Sequence, residues 1–244
     1  MADQFSRTRM VLGPSNFEIL KKSRVAVFGI GGVGGHAVEA LARSGLGALD
    51  LIDSDTVEIT NINRQLVATL STIGRYKVDV MEERIRDIAP DCAVRTYKMF
   101  FLPETADTFD FAAYDYVVDA IDTVSGKLGL IAKCREAGVP IICSMGAGNK
   151  MDPAAFEVTD IYKTSVDPLA KVIRKKCKEM GIRRLKVVWS REEPLPQIDS
   201  GETERDERGA LPPGSTAFVP SVAGLILASE VIKDLTHFDR KNRG

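Results

Sequence analysis

RVAVFGIGGVGGHAVEALARSGLGALDLIDSD, residues 24–55, changes its hydrophobic period twice, and that change decides the fold. It opens on a short apolar run with β-branched Val25 and Val27, the pattern of a buried strand. The run breaks at Gly29 into GIGGVG, residues 29–34. Ala37, Val38, Leu41 and Ala42 then recur at helical spacing, and a second apolar strand, Leu49 to Ile52, ends at Asp53. Strand, glycine turn, helix, strand and acid follow in the order of a nucleotide-binding βαβ unit. Gly29, Gly31, Gly32 and Gly34 let the backbone approach a phosphate, while the helix start offers free N–H donors and a positive dipole end. Asp53 lies about twenty residues past the last of these glycines, where an acid meets a ribose hydroxyl. The unit calls for a nucleotide without saying which one.

Outward from it, residues 1–23 read as a helical lead-in, with Phe17, Ile19 and Leu20 apolar. VEITNINRQ, residues 57–65, is a polar loop dense in side-chain donors. A helix is expected from about Ile73 to Ile88 with Ser71 as its N-cap, Val78, Met81, Ile85 and Ile88 on its apolar face, and Pro90 stopping it. Val94 to Met99 reads as a strand, as does YVVDAID, which runs into Asp119 and Asp122. A helix over 127–137 and a strand over 140–144 continue the alternation. Near-continuous apolar strands between helices indicate a parallel sheet covered on both faces. The expectation is an α/β, Rossmann-like, mainly parallel sheet with helices on both faces.

The character changes at Gly146. GAGNKMDP makes a glycine turn, Phe156 to Ile161 a strand, Asp167–Pro168 the start of a basic helix, and Leu185 to Trp189 another strand. Residues 190–215 are polar, acidic and proline-bearing, and read as a mobile loop; Val219 to Leu235 reads as a closing helix.

A length of 244 residues suits one large α/β domain, and 44% hydrophobic with 27% charged residues describes an ordinary soluble chain. The net charge of −1 exerts no general pull on nucleic acid or membrane, so such a partner needs a local patch. Asp3, Arg7 and Arg9 occupy the place where a signal peptide would be apolar, and Val219 to Ile232 is too short to span a bilayer. Cys92, Cys134, Cys143 and Cys177 are scattered with no C-x-x-C pair, which speaks against structural zinc or a disulfide framework and fits a reducing cytoplasm.

GIGGVG at 29–34, DSD at 53–55, NINRQ at 61–65, Lys77 and DAID at 119–122 together resemble the ubiquitin-activating-like ATP-dependent adenylating enzymes, which include activators of small sulfur-carrier proteins. Within that family the chain is most similar to the tRNA threonylcarbamoyladenosine dehydratases. SMGAGNKMDP at 144–153, VTDIYKTSVDPLA at 158–170, the missing zinc cysteines and the small-residue C-terminal helix carry that likeness, which covers nearly the whole chain. The resemblance implies ATP and Mg²⁺ as cofactors and a homodimer. It implies a nucleotide-binding half over 1–145 and an acceptor-side half over 146–244 of one domain. It also implies residue roles. Gly31 and its neighbours bind phosphate, Asp53 holds the ribose with Asp55 nearby, Asn63, Arg64 and Lys77 grip phosphates, and Asp122 binds Mg²⁺. Arg7 matches the arginine that family dimers insert into the partner's site, with Arg9 as its substitute.

Other readings stand beside these. A sulfur-carrier C-terminus is a second acceptor for the same adenylation. An NAD-dependent dehydrogenase would also use Asp53, but has no need of Arg64, Lys77 and Asp122; a non-catalytic scaffold is a fourth reading. Asp119 suits a helix cap as well as a site, while Cys177 and His36 suit structural positions. Lys171, Arg174, Lys175, Lys176, Lys178, Arg183, Arg184 and Lys186 form the densest basic run, read either as a tRNA phosphate footprint or as a solvated helix face.

Overall fold

A computed structural model describes residues 2–199, 201, 209 and 211–239. Its centre is a seven-stranded sheet built from β1 (Arg24–Phe28), β2 (Ala48–Ile52), β3 (Ala93–Tyr97), β4 (Tyr116–Asp119), β5 (Ile141–Ser144), β6 (Phe156–Asp160) and β7 (Lys186–Ser190). The order across the sheet is β3-β2-β1-β4-β5-β7-β6, and all pairs are parallel except β6 with β7. The chain thus winds outward from β1 in one direction to β3, then returns and winds the other way through β4. The order reverses between β1 and β4, and in such sheets the ligand crevice lies beyond the carboxyl ends of those two strands. The expected mainly parallel, Rossmann-like sheet is observed, with an antiparallel strand closing one edge.

The helices are α1 (Ser6–Leu12), α2 (Pro14–Lys22), α3 (Gly34–Arg43), α4 (Lys77–Ile88), α5 (Val124–Ala137), α6 (Pro168–Glu179) and α7 (Val219–Leu235). Period-two alternation in β1 separates the two layers. Val25 and Val27 face a core with Ala37 and Leu41 of α3, Val78 and Met81 of α4, and Val219, Ala223 and Leu227 of α7. Ala26 and Phe28 face the other side, among Phe101, Phe109, Phe111 and Leu130 of α5. A third cluster packs Ile173 and Cys177 of α6 against Cys143, Val187 and Trp189. Cys177 is therefore a core residue whose thiol burial pushes up to about 11, and all four cysteines are buried and free.

Some boundaries differ from expectation for local reasons. The helix expected from Ile73 with Ser71 as N-cap begins only at Lys77, after Tyr76. Residues 74–77 instead pair back on 55–57: Gly74 N–H bonds Val57 O, Val57 N–H bonds Arg75 O, and Lys77 N–H bonds Asp55 O. Gly74 takes φ +84°, a left-handed conformation outside a helix. The strand expected to reach Met99 ends at Tyr97, opposite Ile52, where its partner strand also ends. The helix expected from Lys127 starts three residues earlier, at Val124. Of the loop expected over 190–215, residues 200, 202–208 and 210 lie outside the described set; among the described residues no helix or strand follows Ser190 until Val219. No helix among the described residues is long and apolar enough to cross a membrane.

Candidate active site

The glycine turn follows β1 and DAID follows β4, so both leave the sheet at its switch point and meet there. Ala120 N–H bonds Phe28 O at 2.8 Å, and Gly29 N–H bonds Ile52 O at 2.8 Å. Gly29 has φ +89°, and a Cβ on it would lie 2.7 Å from Ala120 O. A Cβ on Gly34 would overlap the Gly29 carbonyl oxygen. These two glycines are required by the crossing of turn and strand end themselves. Gly31 is different, because a Cβ there meets only Gln65 Nε2 at 3.9 Å. The middle of the turn opens onto space, as a phosphate cradle at the start of α3 must. Gly32 lies under the Arg64 side chain, whose Cγ would be 3.3 Å from an added Cβ.

Asp53 braces this turn. Its Oδ2 accepts the Ile30 N–H at 2.6 Å and its Oδ1 accepts the Asp55 N–H at 2.8 Å. Burial pushes the Asp53 carboxyl up, against the pull of Lys77 and these two N–H groups. Lys77 is buried, and its Nζ sits 2.7 Å from Asp55 Oδ2. Lys77 and Asp55 therefore form a pair beside Asp53, with the ammonium anchored on a half-open carboxylate. Arg64 is half-buried; its Nη1 donates to Thr60 O and Asn63 Oδ1, each at 2.9 Å. Burial lowers its guanidinium pKa from the usual value. The Asn63 amide donates to Ser215 O at 3.0 Å, tying the polar loop to the segment before α7. Gln65 is buried with its Oε1 unpartnered.

The two acids of DAID separate sharply. Asp119 is fully buried and ion-paired to Lys127, whose Nζ lies 3.0 and 3.1 Å from its two oxygens and 2.8 Å from Ser144 O. Asp119 Oδ1 also accepts the Ile121 N–H. Burial pushes its carboxyl up while Lys127 pulls it down. Asp119 is thus neither open to a ligand nor a helix cap; it clamps the ends of β4 and β5 to α5. Asp122, three residues on, is exposed and has no hydrogen bond or ion pair among the described residues. Lys127, the residue that decides between the two acids, is visible in the sequence only as a lysine at core spacing with Leu130, Ile131 and Cys134 on one helix face.

The two lead-in arginines also part company. Arg9 donates to Asp3 at 2.7 Å and stacks over Phe17, 4.9 Å from the ring centre. Arg7 is exposed and unpartnered among the described residues. The His36 ring is half-buried beside the Arg64 backbone, and desolvation lowers its pKa. Among the described residues no cluster of three or more His, Cys, Asp or Glu forms a metal cage. A divalent ion here would have to be of the Mg²⁺ kind, shared between a carboxylate and substrate phosphates, and a free Asp122 beside an open phosphate cradle fits that donor set.

A doubly wound parallel sheet with an open glycine cradle and a free acid at its switch point defines the class: a nucleotide-binding α/β protein with basic groups for a polyphosphate. The chain belongs to the ThiF family, whose pattern matches residues 5–244. It is 49% identical to the tRNA threonylcarbamoyladenosine dehydratase of Bacillus subtilis, over 96% of this chain and 95% of that one. Its fold matches the crystal structure of the Escherichia coli tRNA N6-threonylcarbamoyladenosine dehydratase in complex with ATP. The TM-score is 0.86 and the identity 34%, over 96% of this chain and 94% of that chain. The molybdopterin-synthase adenylyltransferase of Salmonella typhimurium is 36% identical over 55% of this chain and 53% of its own length.

Proposed function

We propose that the protein uses ATP to adenylate the threonyl carboxylate of N6-threonylcarbamoyladenosine in tRNA, and that the activated group then closes to the cyclic form with net loss of water. The observation that carries this reading is the exposed carboxylate of Asp122 without a hydrogen bond or ion pair among the described residues, two residues past the point where Ala120 meets the glycine turn at Gly29. The near full-length likeness to dehydratases of this name selects the acceptor. In the first step a carboxylate oxygen of the acceptor bonds to the α-phosphorus as the bond to the β-phosphate oxygen breaks, and pyrophosphate leaves. In the second an internal nucleophile attacks the activated carbonyl, and AMP departs with the acyl oxygen.

The chain's part is placement and charge. The N–H groups at the start of α3 and the Arg64 and Lys77 cations balance the phosphates, and Asn63 joins them. Asp53 holds the ribose side while bracing the turn at Ile30, with Asp55 aligning Lys77. Asp122 holds Mg²⁺, which when bound supplies charge neutralisation at the phosphates. In a homodimer the unpartnered Arg7 reaches the partner's phosphates, whereas Arg9 is committed to Asp3 and Phe17. The reading places the enzyme in the cytoplasm, in keeping with four free buried thiols, and treats residues 146–244 as its acceptor-side half. A sulfur-carrier protein would present an equivalent C-terminal carboxylate, with a sulfur-transfer protein accompanying it; the likeness to a molybdopterin-synthase adenylyltransferase spans about half of each chain.

The test is incubation with ATP, Mg²⁺ and tRNA bearing the uncyclised nucleoside, followed by mass analysis of the nucleosides. Loss of one water from the modified nucleoside is expected; an unchanged nucleoside with full ATP binding overturns the assignment.

A further inference from the structure

A cavity of about 370 Å³ opens between the turn after β5 and the segment leading into α7. Asn149, Lys150 and Met151, the segment from Leu195 to Asp199, and the segment leading into α7, with Gly214, Ser215 and Thr216, contribute its lining. The walls are fastened together: Asn149 N–H bonds Gly214 O and Asn149 Oδ1 accepts the Gly214 N–H, both at 2.7 Å. The same wall touches the nucleotide side, since Ser215 O accepts the Asn63 amide. The cavity therefore abuts the phosphate-gripping loop, at the edge of the sheet where β1, β4 and β5 end.

Two polar side chains on its lining make no hydrogen bond among the described residues. The Lys150 side chain is 1% exposed, and its Nζ makes no hydrogen bond among the described residues. Its nearest countercharge, Asp167 Oδ2, lies 4.0 Å away, beyond hydrogen-bond reach. Asp167 takes its hydrogen bonds from the backbone, Oδ2 accepting the Gly146 N–H at 2.9 Å and Oδ1 the Ala170 N–H at 2.8 Å, while Lys150 supplies its countercharge across 4.0 Å. The second group is the Thr216 hydroxyl, whose Oγ1 is buried without a partner. A buried ammonium with its three donors unfilled and an unfilled hydroxyl on the lining of the same cavity are an expensive arrangement unless an acceptor of negative charge enters. Burial also holds the Lys150 ammonium below its ordinary pKa.

From this geometry we infer that Lys150 and Thr216 form the receiving site for the acceptor's carboxylate. Lys150 binds one oxygen by a charge-assisted hydrogen bond and Thr216 donates to the same carboxylate. The second oxygen stays directed toward the nucleotide beyond Asn63 and Ser215. The inference rests on the proposed function for the identity of the carboxylate, but the site itself is a matter of binding. It also gives the unfilled Lys150 donors an acceptor at hydrogen-bond range, which the ion pair with Asp167 does not.

The experiment uses the full chain and two probes, the free nucleoside N6-threonylcarbamoyladenosine and its carboxyl methyl ester, with binding measured calorimetrically. Wild type is expected to prefer the acid to the ester by roughly 10- to 100-fold, the worth of a hydrogen bond to a charged group. Lys150→Gln is expected to erase that preference and Thr216→Val to reduce it, with the rise in melting temperature on adding ATP unchanged in both. Lys150→Arg, which keeps the charge, restores part of the preference. If Lys150→Gln discriminates acid from ester as wild type does, the inference is overturned. Should Lys150→Gln lose the ATP response, Thr216→Val and Lys150→Arg decide in its place: wild-type discrimination in the first together with none in the second overturns it. A wild type that binds the acid preferentially yet dehydrates no tRNA sinks the functional reading and leaves this site standing.

Discussion

The two ends of the strands treat their polar groups in opposite ways. Where the strands begin, the buried charges are matched within the chain. Arg24 reaches Asp50 at 2.7 Å, with the Tyr97 and Tyr114 hydroxyls on the same carboxylate's other oxygen. Lys186 is held by Glu230 at 2.7 Å and Asp234 at 2.9 Å, and Tyr116 donates to Asp234 at 2.6 Å. Where the strands end, Asp122 is free, Gln65 Oε1, Thr123 Oγ1 and Thr216 Oγ1 are buried without partners, and Lys150 has no hydrogen bond. The contrast separates polar residues that hold the fold from those kept for a ligand. Volume makes a poorer guide: a cavity of about 1110 Å³ lies at the matched end, lined by Tyr116, Lys186 and Asp234.

The tightest fully buried ion pair at the strand ends crosses the contrast and is the place to try to break it. Asp119 and Lys127 are matched and fully buried, yet they sit at the ends of β4 and β5, on the side of the unmatched groups. Lys127→Met leaves Asp119 as a buried charge without its partner, and removing one member of such a pair costs about 3–5 kcal/mol. We expect a loss of that size in urea unfolding. The double variant Asp119→Asn with Lys127→Met should recover much of it, because no uncompensated charge remains. A loss below about 1 kcal/mol in Lys127→Met would mean that water or a shifted loop satisfies Asp119, and that the clamp is not structural.

Asp122→Asn is the complementary case, because its carboxylate is exposed and makes no hydrogen bond or ion pair among the described residues. Unfolding stability should stay within about 0.5 kcal/mol of wild type, as for surface changes outside special features. Turnover of tRNA should fall by about 10²–10³-fold, the scale for losing one electrostatic group at a reacting centre. Stability loss without activity loss would reverse the assignment of the two acids.

These two acids also show how far the sequence is legible. The parallel sheet, the glycine turn and Asp53 follow from period and spacing alone, because each is a local pattern. DAID reads as two candidate acids, since four adjacent residues do not reveal which one points into the core. That is settled by Lys127 arriving from α5 and by Ser144 O from the neighbouring strand. The start of α4 is missed for the same reason: residues 74–77 look helical by themselves and are drawn into pairing with 55–57. Lys150 and Thr216, far apart in sequence, come to line one cavity only through the Asn149–Gly214 contact.

The smallest expected effect concerns the basic helix α6 and sharpens the contrast on the protein's outside. The eight cations that look alike in sequence divide once folded. Arg174 donates to Thr164 O at 2.9 Å and to its Oγ1 at 2.6 Å, Lys176 pairs with Glu179 at 2.9 Å, and Lys186 is held by Glu230 and Asp234. Arg184 lies 4.0 Å from Asp160 with a side chain 93% exposed. Lys171, Lys175 and Lys178 are exposed on the helix, and their side chains make no hydrogen bond or ion pair among the described residues. They are the cations with hydrogen-bonding capacity to spare, so a phosphate footprint on this helix has to fall on them rather than on Arg174. Each neutralised phosphate releases about 0.9 of a counterion from a duplex backbone and about 0.7 from a single strand. Replacing Lys171, Lys175 and Lys178 together by Gln should therefore lower the log–log salt slope of tRNA binding by roughly 0.7–0.9 for every phosphate that these lysines neutralise in wild type. ATP binding and unfolding stability should not change. Arg174→Gln, by contrast, should leave the salt slope alone and destabilise by about 1–3 kcal/mol through the unpaired Thr164 groups. If the triple variant keeps the wild-type slope, the helix is a solvated face, and the RNA is gripped by other cations such as Lys163, Arg183 and Arg184 around the larger cavity.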